Sequence, residues 1–230
     1  MGDYGSAIVA RRRPRPRIPE PGLGLALVLA ASACEEVPRS FSVGPAGAEP
    51  LFSDRFERSK LGPSWRTTGP GARLEHGRLV LEGLENHPVW LTVPLPDDVH
   101  VRFDARAATD SCDVKFELAG DGKSYATSPN YVASGYVVIF GGWECTKNMI
   151  SRRNEHGRDV VTSTAPLPVP GRTYRMDVWR TGDTIRWEVD GREVLVYEDP
   201  NPLRGPGHRH FAFNNWQART EFDNLVIEPL

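Results

Sequence analysis

Residues 208–217 (HRHFAFNNWQ) combine two patterns. Phe211 and Phe213 are spaced like the buried face of a β-strand, whose side chains point alternately to the two faces of a sheet. The positions on and around the other face hold imidazole, amide and indole groups, which bind polar ligands by hydrogen bonding and ring stacking. These candidate ligand-binding residues are His208, His210, Asn214 and Trp216. The spacing predicts a core face and a ligand-contacting face; an ordinary wet strand face with one interfacial tryptophan is the alternative interpretation.

A second group of candidate binding residues follows the apolar run at 136–140 (YVVIF). The Gly141-Gly142 pair that ends this run indicates a bulge, which would turn Trp143 outward. Arg152 adds a guanidinium group that could bind a ligand, although an arginine near Glu155 also suits a surface ion pair. We therefore expect Trp143 and Arg152 to belong to the binding surface.

The elements that must position these residues are strands. Apolar and polar residues alternate over five to nine positions in the stretches 73–82, 100–106, 113–118 and 174–180. Asp190-Gly191 separates two further alternating stretches and is a strong signal for a two-residue hairpin, because both residues tolerate positive φ. No convincing helix lies between these segments, so the pattern predicts an all-β fold with an antiparallel sandwich or closed barrel.

The N-terminal segment has the parts of a secretory signal. Five arginines between positions 11 and 17 precede a short apolar run at 23–33 (LGLALVLAASA), which is too short for a mature membrane span. Its small residues lead directly into Cys34 and resemble a bacterial lipobox, although Ala31 stands where that motif usually has leucine. We predict a signal peptide at 1–33, lipidation at Cys34, and hence membrane attachment in the bacterial cell envelope. Secretion without lipidation and a cytosolic location remain open.

Composition and charge indicate the domain bounds and exclude one class of binding partner. Residues 34–50 lack periodicity and are predicted to form a tether, and the folded domain is predicted to span 51–230. The formal net charge of -2 is no signature of polyanion binding, so nucleic acid is not an expected partner.

The cysteines fit an exported chain. With Cys34 assigned to lipid, Cys112 and Cys145 remain as an even pair and are predicted to form a disulfide; two unpaired buried thiols are the alternative. No metal-binding motif accompanies them, and no cofactor is expected. A weak calcium site would need Asp54 and Asp223 to meet through pairing of the terminal strands.

The order of four segments resembles the concanavalin A-like lectin/glucanase superfamily. These segments are LFSDRF, GRLVLEG, YRMDVWRTGDTIRWEVDGREVLVYED and the closing TEFDNLVIEPL. The resemblance covers residues 51–230 and is closest to laminin-G-like and 3-keto-disaccharide hydrolase-type domains. It implies a jelly-roll β-sandwich with one concave sheet, on which a polysaccharide or oligosaccharide lies.

Glu188, Asp190 and Glu193 spell E-x-D-x-x-E, a catalytic motif of family 16 glycoside hydrolases in this superfamily. That chemistry needs the carboxylates on one face of one strand. The Asp190-Gly191 turn signal instead predicts that the chain reverses there, so we interpret the match as accidental.

Three functional hypotheses follow. The first is an envelope-anchored, non-catalytic carbohydrate-binding domain. The second is a glycoside-cleaving enzyme of the 3-keto-disaccharide hydrolase type, in which histidine, arginine and carboxylate groups act without a linear motif. The third is a structural or adhesive envelope protein.

Overall fold

The computed structural model of the chain describes residues 49–128 and 131–230. The predicted signal peptide at 1–33, Cys34 and nearly all of the tether lie outside the described residues, so these assignments stay predictions. Within the described ranges, no helix combines the length and apolar character needed to cross a membrane.

Alternation of apolar and polar residues produces fifteen β-strands in the described part of the chain. Gly, Pro, Asn and Asp residues mark many of the turns between them. The strand bounds are β1 Phe52–Asp54, β2 Trp65–Thr67, β3 Ala72–Glu75, β4 Arg78–Glu82, β5 Val89–Leu91, β6 Val99–Ala107, β7 Val114–Gly120, β8 Tyr136–Gly141, β9 Lys147–Arg152, β10 Val160–Ser163, β11 Thr173–Thr181, β12 Thr184–Val189, β13 Arg192–Glu198, β14 His210–Asn214 and β15 Arg219–Pro229.

The strands form two antiparallel sheets. Sheet I has the order β13-β12-β11-β6-β15-β4-β3, and β1 also pairs with β15. Sheet II has the order β10-β9-β8-β7-β14-β5-β2. Strands that are neighbours in a sheet are often far apart in sequence, as β7 and β14 are. The all-β, antiparallel prediction is confirmed.

The core lies between the inner faces of the two sheets and is rich in aromatic rings. Phe211 and Phe213 of β14 are fully buried, as the alternation predicts. The Phe213 ring stacks on Phe222 of sheet I with centroids 4.2 Å apart, and it also contacts Trp65 and Phe103. Phe213 therefore joins the two sheets at the centre of the sandwich.

The Asp190-Gly191 hairpin has the predicted geometry. Asp190 and Gly191 have φ of 51° and 74°, the left-handed values of the turn type that suits tightly joined strands. Glu193 lies on β13 and pairs across the ladder with Glu188 of β12. The three carboxylates of E-x-D-x-x-E do not share one strand, which confirms that the match to the catalytic motif is accidental.

We predict that Phe213→Ala lowers the free energy of unfolding by about 3–5 kcal/mol, because it leaves a cavity among rings that cannot collapse around it. Trp216→Ala, which removes a ring that is 38% exposed, serves as the matched control and should cost much less. Denaturant unfolding followed by circular dichroism measures both. Equal destabilisation by the two variants would contradict the assignment of Phe213 to the core and Trp216 to the surface.

Candidate functional site

The outer face of sheet II is divided into a covered part and an open part. The connection between β7 and β8 packs over the covered part, where the ring of His210 lies against Gly122 and the indole N–H of Trp90 donates to the Ser124 carbonyl. Asn214 points to this outer face, as the alternation predicts, but it is fully buried. Asn214 is therefore shielded from solvent, and the candidate site lies in the open part.

The open part is a cleft of about 370 Å³ where β8 and β14 end and β7 begins. Lys115 of β7 and Ile139 of β8 line the cleft from the sheet itself. Trp143 and Trp216 line it from the connections that follow β8 and β14, and they are 37% and 38% exposed. Glu155 reaches the cleft from the connection between β9 and β10. Five separate connections contribute residues, so the cleft is a product of tertiary structure.

Lys115 is the central charge of the cleft and is only 2% exposed. Its ammonium Nζ donates to Asn86 Oδ1 at 3.0 Å and lies 3.0 Å from Glu155 Oε2 and 4.0 Å from Asp113 Oδ2. Burial alone lowers the pKa of Lys115, but the carboxylates of Asp113 and Glu155 outweigh burial and raise it above the usual value. The ammonium is therefore charged at neutral pH.

Glu117 lies two residues further along β7 on the same face and is fully buried. Tyr131 donates its hydroxyl to Glu117 Oε1 at 3.1 Å, and Asn214 Nδ2 donates to the same oxygen at 2.9 Å. Burial raises the pKa of Glu117 to about 8, although both hydrogen bonds and Lys115 oppose the rise. Glu117 is therefore largely protonated at neutral pH, which limits the excess of negative charge beside Lys115.

Trp143 is presented by an unusual turn. Trp143, Glu144 and Cys145 have φ of 52°, 56° and 62°, so the chain follows a left-handed turn that costs non-glycine residues roughly 1–2 kcal/mol each. Thr146 closes the turn, since its N–H donates to Gly142 O at 3.1 Å and its hydroxyl to Trp143 O at 2.7 Å. Gly141 precedes the turn with φ of 74°, and a Cβ there would lie 2.4 Å from Pro168. The predicted bulge is thus a tight left-handed turn.

The disulfide between Cys112 and Cys145 is present, which confirms the predicted pair. Cys145 belongs to the turn that carries Trp143, and Cys112 directly precedes Asp113. The Asp113 carboxylate accepts the backbone N–H of Trp216 at 2.5 Å. One covalent bond and one hydrogen bond therefore connect the segments that carry the two tryptophans.

The structure brings together some of the predicted site residues and separates others. Trp143 and Trp216 line the same cleft, with Asn214 buried beside it. His208 and His210 instead hold backbone carbonyls, those of Ala119 at 3.1 Å and Leu91 at 2.9 Å. Arg152 donates to Asp199 at 2.9 Å and to the Asn201 carbonyl at 3.2 Å. None of these last three residues lines the described cleft.

The calcium candidates have protein partners. β1 and β15 do pair, but the Asp54 carboxylate accepts hydrogen bonds from Arg58, Trp65 and the backbone N–H of Phe56. The Asp223 carboxylate accepts the N–H of Asn224 at 2.7 Å. No three His, Cys, Asp or Glu side chains in the described ranges are grouped closely enough for a metal ion. Calcium binding at this pair stays a prediction.

Sequence reasoning did not single out Asp113, Lys115 or Glu144 as site residues. Charged residues at Asp113, Lys115 and Glu117 alternate with apolar ones, a pattern that normally indicates a solvated strand face. The signal that could have identified them is the conjunction of this charged stripe with Cys112, because a disulfide beside the stripe fixes a second loop over it.

No family model and no curated protein matches the chain. Solved structures do resemble it. The carbohydrate-binding module CBM66 from Bacillus subtilis aligns with a TM-score of 0.55 and 12% identity, covering 72% of this chain and 95% of that one. A Bacillus licheniformis β-glucanase aligns with a TM-score of 0.55 and 12% identity, covering 78% and 98%. A protein from a study of mucin O-glycanases of the human gut microbiota aligns with a TM-score of 0.56 and 15% identity, covering 79% and 100%.

The described domain has a jelly-roll β-sandwich fold similar to that of these structures. TM-scores of 0.55–0.56 show the shared fold, and identities of 12–15% leave the chemistry to be argued from the cleft. The predicted jelly-roll β-sandwich is confirmed.

We predict that replacing both cysteines (Cys112→Ser with Cys145→Ser) destabilises the jelly roll by about 2–4 kcal/mol, because the bond closes a loop with a sequence separation of 33. Hydrogen exchange should rise most at residues 110–113, 142–146 and 216–218, which form the cleft walls. Exchange in β11 and β12 of sheet I, which contribute no residue to the cleft, is the internal control. Unchanged exchange at the walls would contradict the positioning role of the disulfide.

We predict a pH dependence of stability that arises from Glu117. Its pKa is about 8 in the folded protein and near 4.5 in the unfolded chain, so between these values the folded state holds the extra proton. Stability contributed by this group is therefore full below pH 4.5 and falls as pH rises towards about 8, by up to roughly 1.4 kcal/mol per pH unit.

Glu117→Gln keeps an oxygen for Tyr131 and Asn214 but does not titrate. The variant should flatten this fall in the free energy of unfolding between pH 5 and 8, measured by denaturant titration in steps of about one pH unit. Parallel pH profiles for the variant and the parent protein would show that Glu117 is not the group responsible.

Proposed function

We propose that this jelly roll is a carbohydrate-binding domain and that the cleft beside Lys115 holds the glycan. The observation that carries the proposal is the pairing of two exposed tryptophans with carboxylate and amide groups in one cleft. Sugar rings present C–H faces that stack on indole rings, and their hydroxyls need hydrogen-bonding partners of this kind. The fold shared with a carbohydrate-binding module and a β-glucanase supports the proposal.

Trp216 is the better placed of the two stacking platforms. The ammonium of Lys147 lies 3.7 Å from the centroid of the Trp143 ring and occupies one of its faces, while His156 meets the ring edge-on. Trp216 has no such ring or cation contact among the described residues. We therefore assign sugar stacking chiefly to Trp216 and a bounding role to Trp143.

We propose in addition that the domain is exported and anchored to a bacterial membrane through lipid on Cys34. The disulfide supports export, because such bonds form and persist mainly outside the cytosol. The basic block, the apolar run and the small residues before Cys34 support lipidation. The mass of the mature N-terminal peptide from a native membrane fraction tests this assignment.

Glycoside cleavage is a second candidate function that one observation favours. Oxygens of Asp113 and Glu155 lie 4.0 and 3.0 Å from the same Lys115 Nζ, so their separation cannot exceed the sum of these distances. An upper limit of this size leaves room for the spacing of roughly 5–5.5 Å found in retaining glycosidases. Burial also raises the pKa of Asp113, as a general acid requires. Reducing-sugar release by the parent protein, abolished in Glu155→Gln, would establish this activity.

We predict that Trp216→Ala weakens glycan binding about thirtyfold, since truncating an aromatic anchor at the centre of a site costs roughly 2 kcal/mol. A glycan array followed by calorimetry on the best ligand provides the measurement. Trp179→Ala is the matched control, because Trp179 lies on the outer face of sheet I and stacks on His100 at 4.4 Å. Equal losses of affinity in the two variants, or no glycan bound by the parent protein, would refute the proposed site.

A further inference from the structure

The cleft carries more negative than positive groups. Among the described residues that line it, Asp113, Glu144 and Glu155 bring carboxylates and only Lys115 brings an ammonium. His156 also lines the cleft, and its Nε2 lies 3.6 Å from Glu155 Oε1, so it adds positive charge only when protonated. Carboxylates therefore outnumber ammonium groups among the described residues that line the cleft.

Some of the carboxylate oxygens in the cleft have no hydrogen-bond or ion-pair partner among the described residues. Lys115 is engaged with Glu155 and Asn86, and one oxygen of Asp113 accepts the Trp216 N–H. The Glu144 side chain is exposed, and no described residue pairs with its carboxylate. A ligand cation in the cleft would thus meet carboxylate oxygens that no described side chain occupies.

Two lysine ammonium groups already lie in this region, one among carboxylates and one on an indole ring. The Lys115 ammonium is held charged although it is buried, because carboxylates surround it. The Lys147 ammonium sits 3.7 Å from the Trp143 centroid, a favourable cation–π arrangement. Carboxylates and indole rings together are the groups that recognise an organic cation.

The distribution of the carboxylates separates this ligand from a metal ion. Within the described ranges, no three His, Cys, Asp or Glu side chains are grouped closely enough to bind a metal ion. An ammonium on a sugar ring suits such an arrangement, because it forms hydrogen bonds to separate carboxylates while the ring stacks on Trp216.

We infer that the cleft selects glycans that carry free amines, that is, sugars with unacetylated amino groups, and disfavours glycans that carry carboxylates or sulfates. The inference rests on the proposed carbohydrate-binding function and names the substrate class of that same cleft. The amine supplies the positive charge that the cleft lacks, and an anionic sugar would add to the repulsion.

The test compares two oligomers of equal length, a β-1,4-linked glucosamine oligomer and its fully N-acetylated counterpart, by calorimetry on the parent protein. We expect the free amine to bind about tenfold more tightly at low ionic strength, a preference that shrinks as salt screens the charges. Glu144→Gln should reduce this preference about threefold, as loss of one exposed ion pair would. Glu57→Gln, which removes an exposed carboxylate that does not line the cleft, should retain it.

Each other outcome has a distinct meaning. Equal or tighter binding of the acetylated oligomer overturns the inference and leaves the proposed function standing. If neither oligomer binds but a neutral or acidic glycan binds on the array, the inference is likewise overturned and the proposed function stands. Absence of every glycan ligand on the array overturns the proposed function itself. A preference that persists in Glu144→Gln and at high salt also overturns the inference, because it would not be electrostatic.

Discussion

The buried ammonium of Lys115 imposes the main constraint on the cleft. A charge with 2% exposure must be compensated by partners, since removing it from water without them is strongly unfavourable. Its partners come from three different connections: Asn86 lies between β4 and β5, Asp113 between β6 and β7, and Glu155 between β9 and β10. One side chain on a central strand thereby holds three loops together. Loss of that charge would leave carboxylates facing each other at the base of the cleft.

The same charge balance explains why only part of the outer face of sheet II is open. The connection between β7 and β8 lies over Glu117, and this burial raises the pKa of Glu117 so that it is largely protonated, with Tyr131 and Asn214 as hydrogen-bond partners. The ammonium of Lys115 and its partners Asn86, Asp113 and Glu155 keep the adjoining region polar. The boundary between covered sheet and cleft thus falls between two residues of one strand, Lys115 and Glu117.

The strands and the core were predictable because their signals are local. Phe211 and Phe213 alternate over a few positions, and Asp190-Gly191 marks a reversal whatever the rest of the chain does. The disulfide could be predicted from an even cysteine pair. The alternation also placed Asn214 on the outer face, but it carries no information about what covers that face. Gly122 lies on His210, and Lys115 meets Glu155 from a distant part of the sequence, so those contacts follow from the packing of loops alone.

The ion pairs of Lys115 help to distinguish glycan binding from glycan cleavage. Both kinds of protein occur among the structures of similar fold. A nucleophilic carboxylate must be free to attack the substrate. Glu155 Oε2 instead lies 3.0 Å from the Lys115 ammonium and forms an ion pair with it. A carboxylate fixed in this way is a good hydrogen-bond acceptor for a sugar hydroxyl or amine, since its position is set before the ligand arrives. Asp113 is fixed in the same manner by the Trp216 N–H. Acceptors held in place beside a tryptophan platform favour recognition of a glycan over its cleavage.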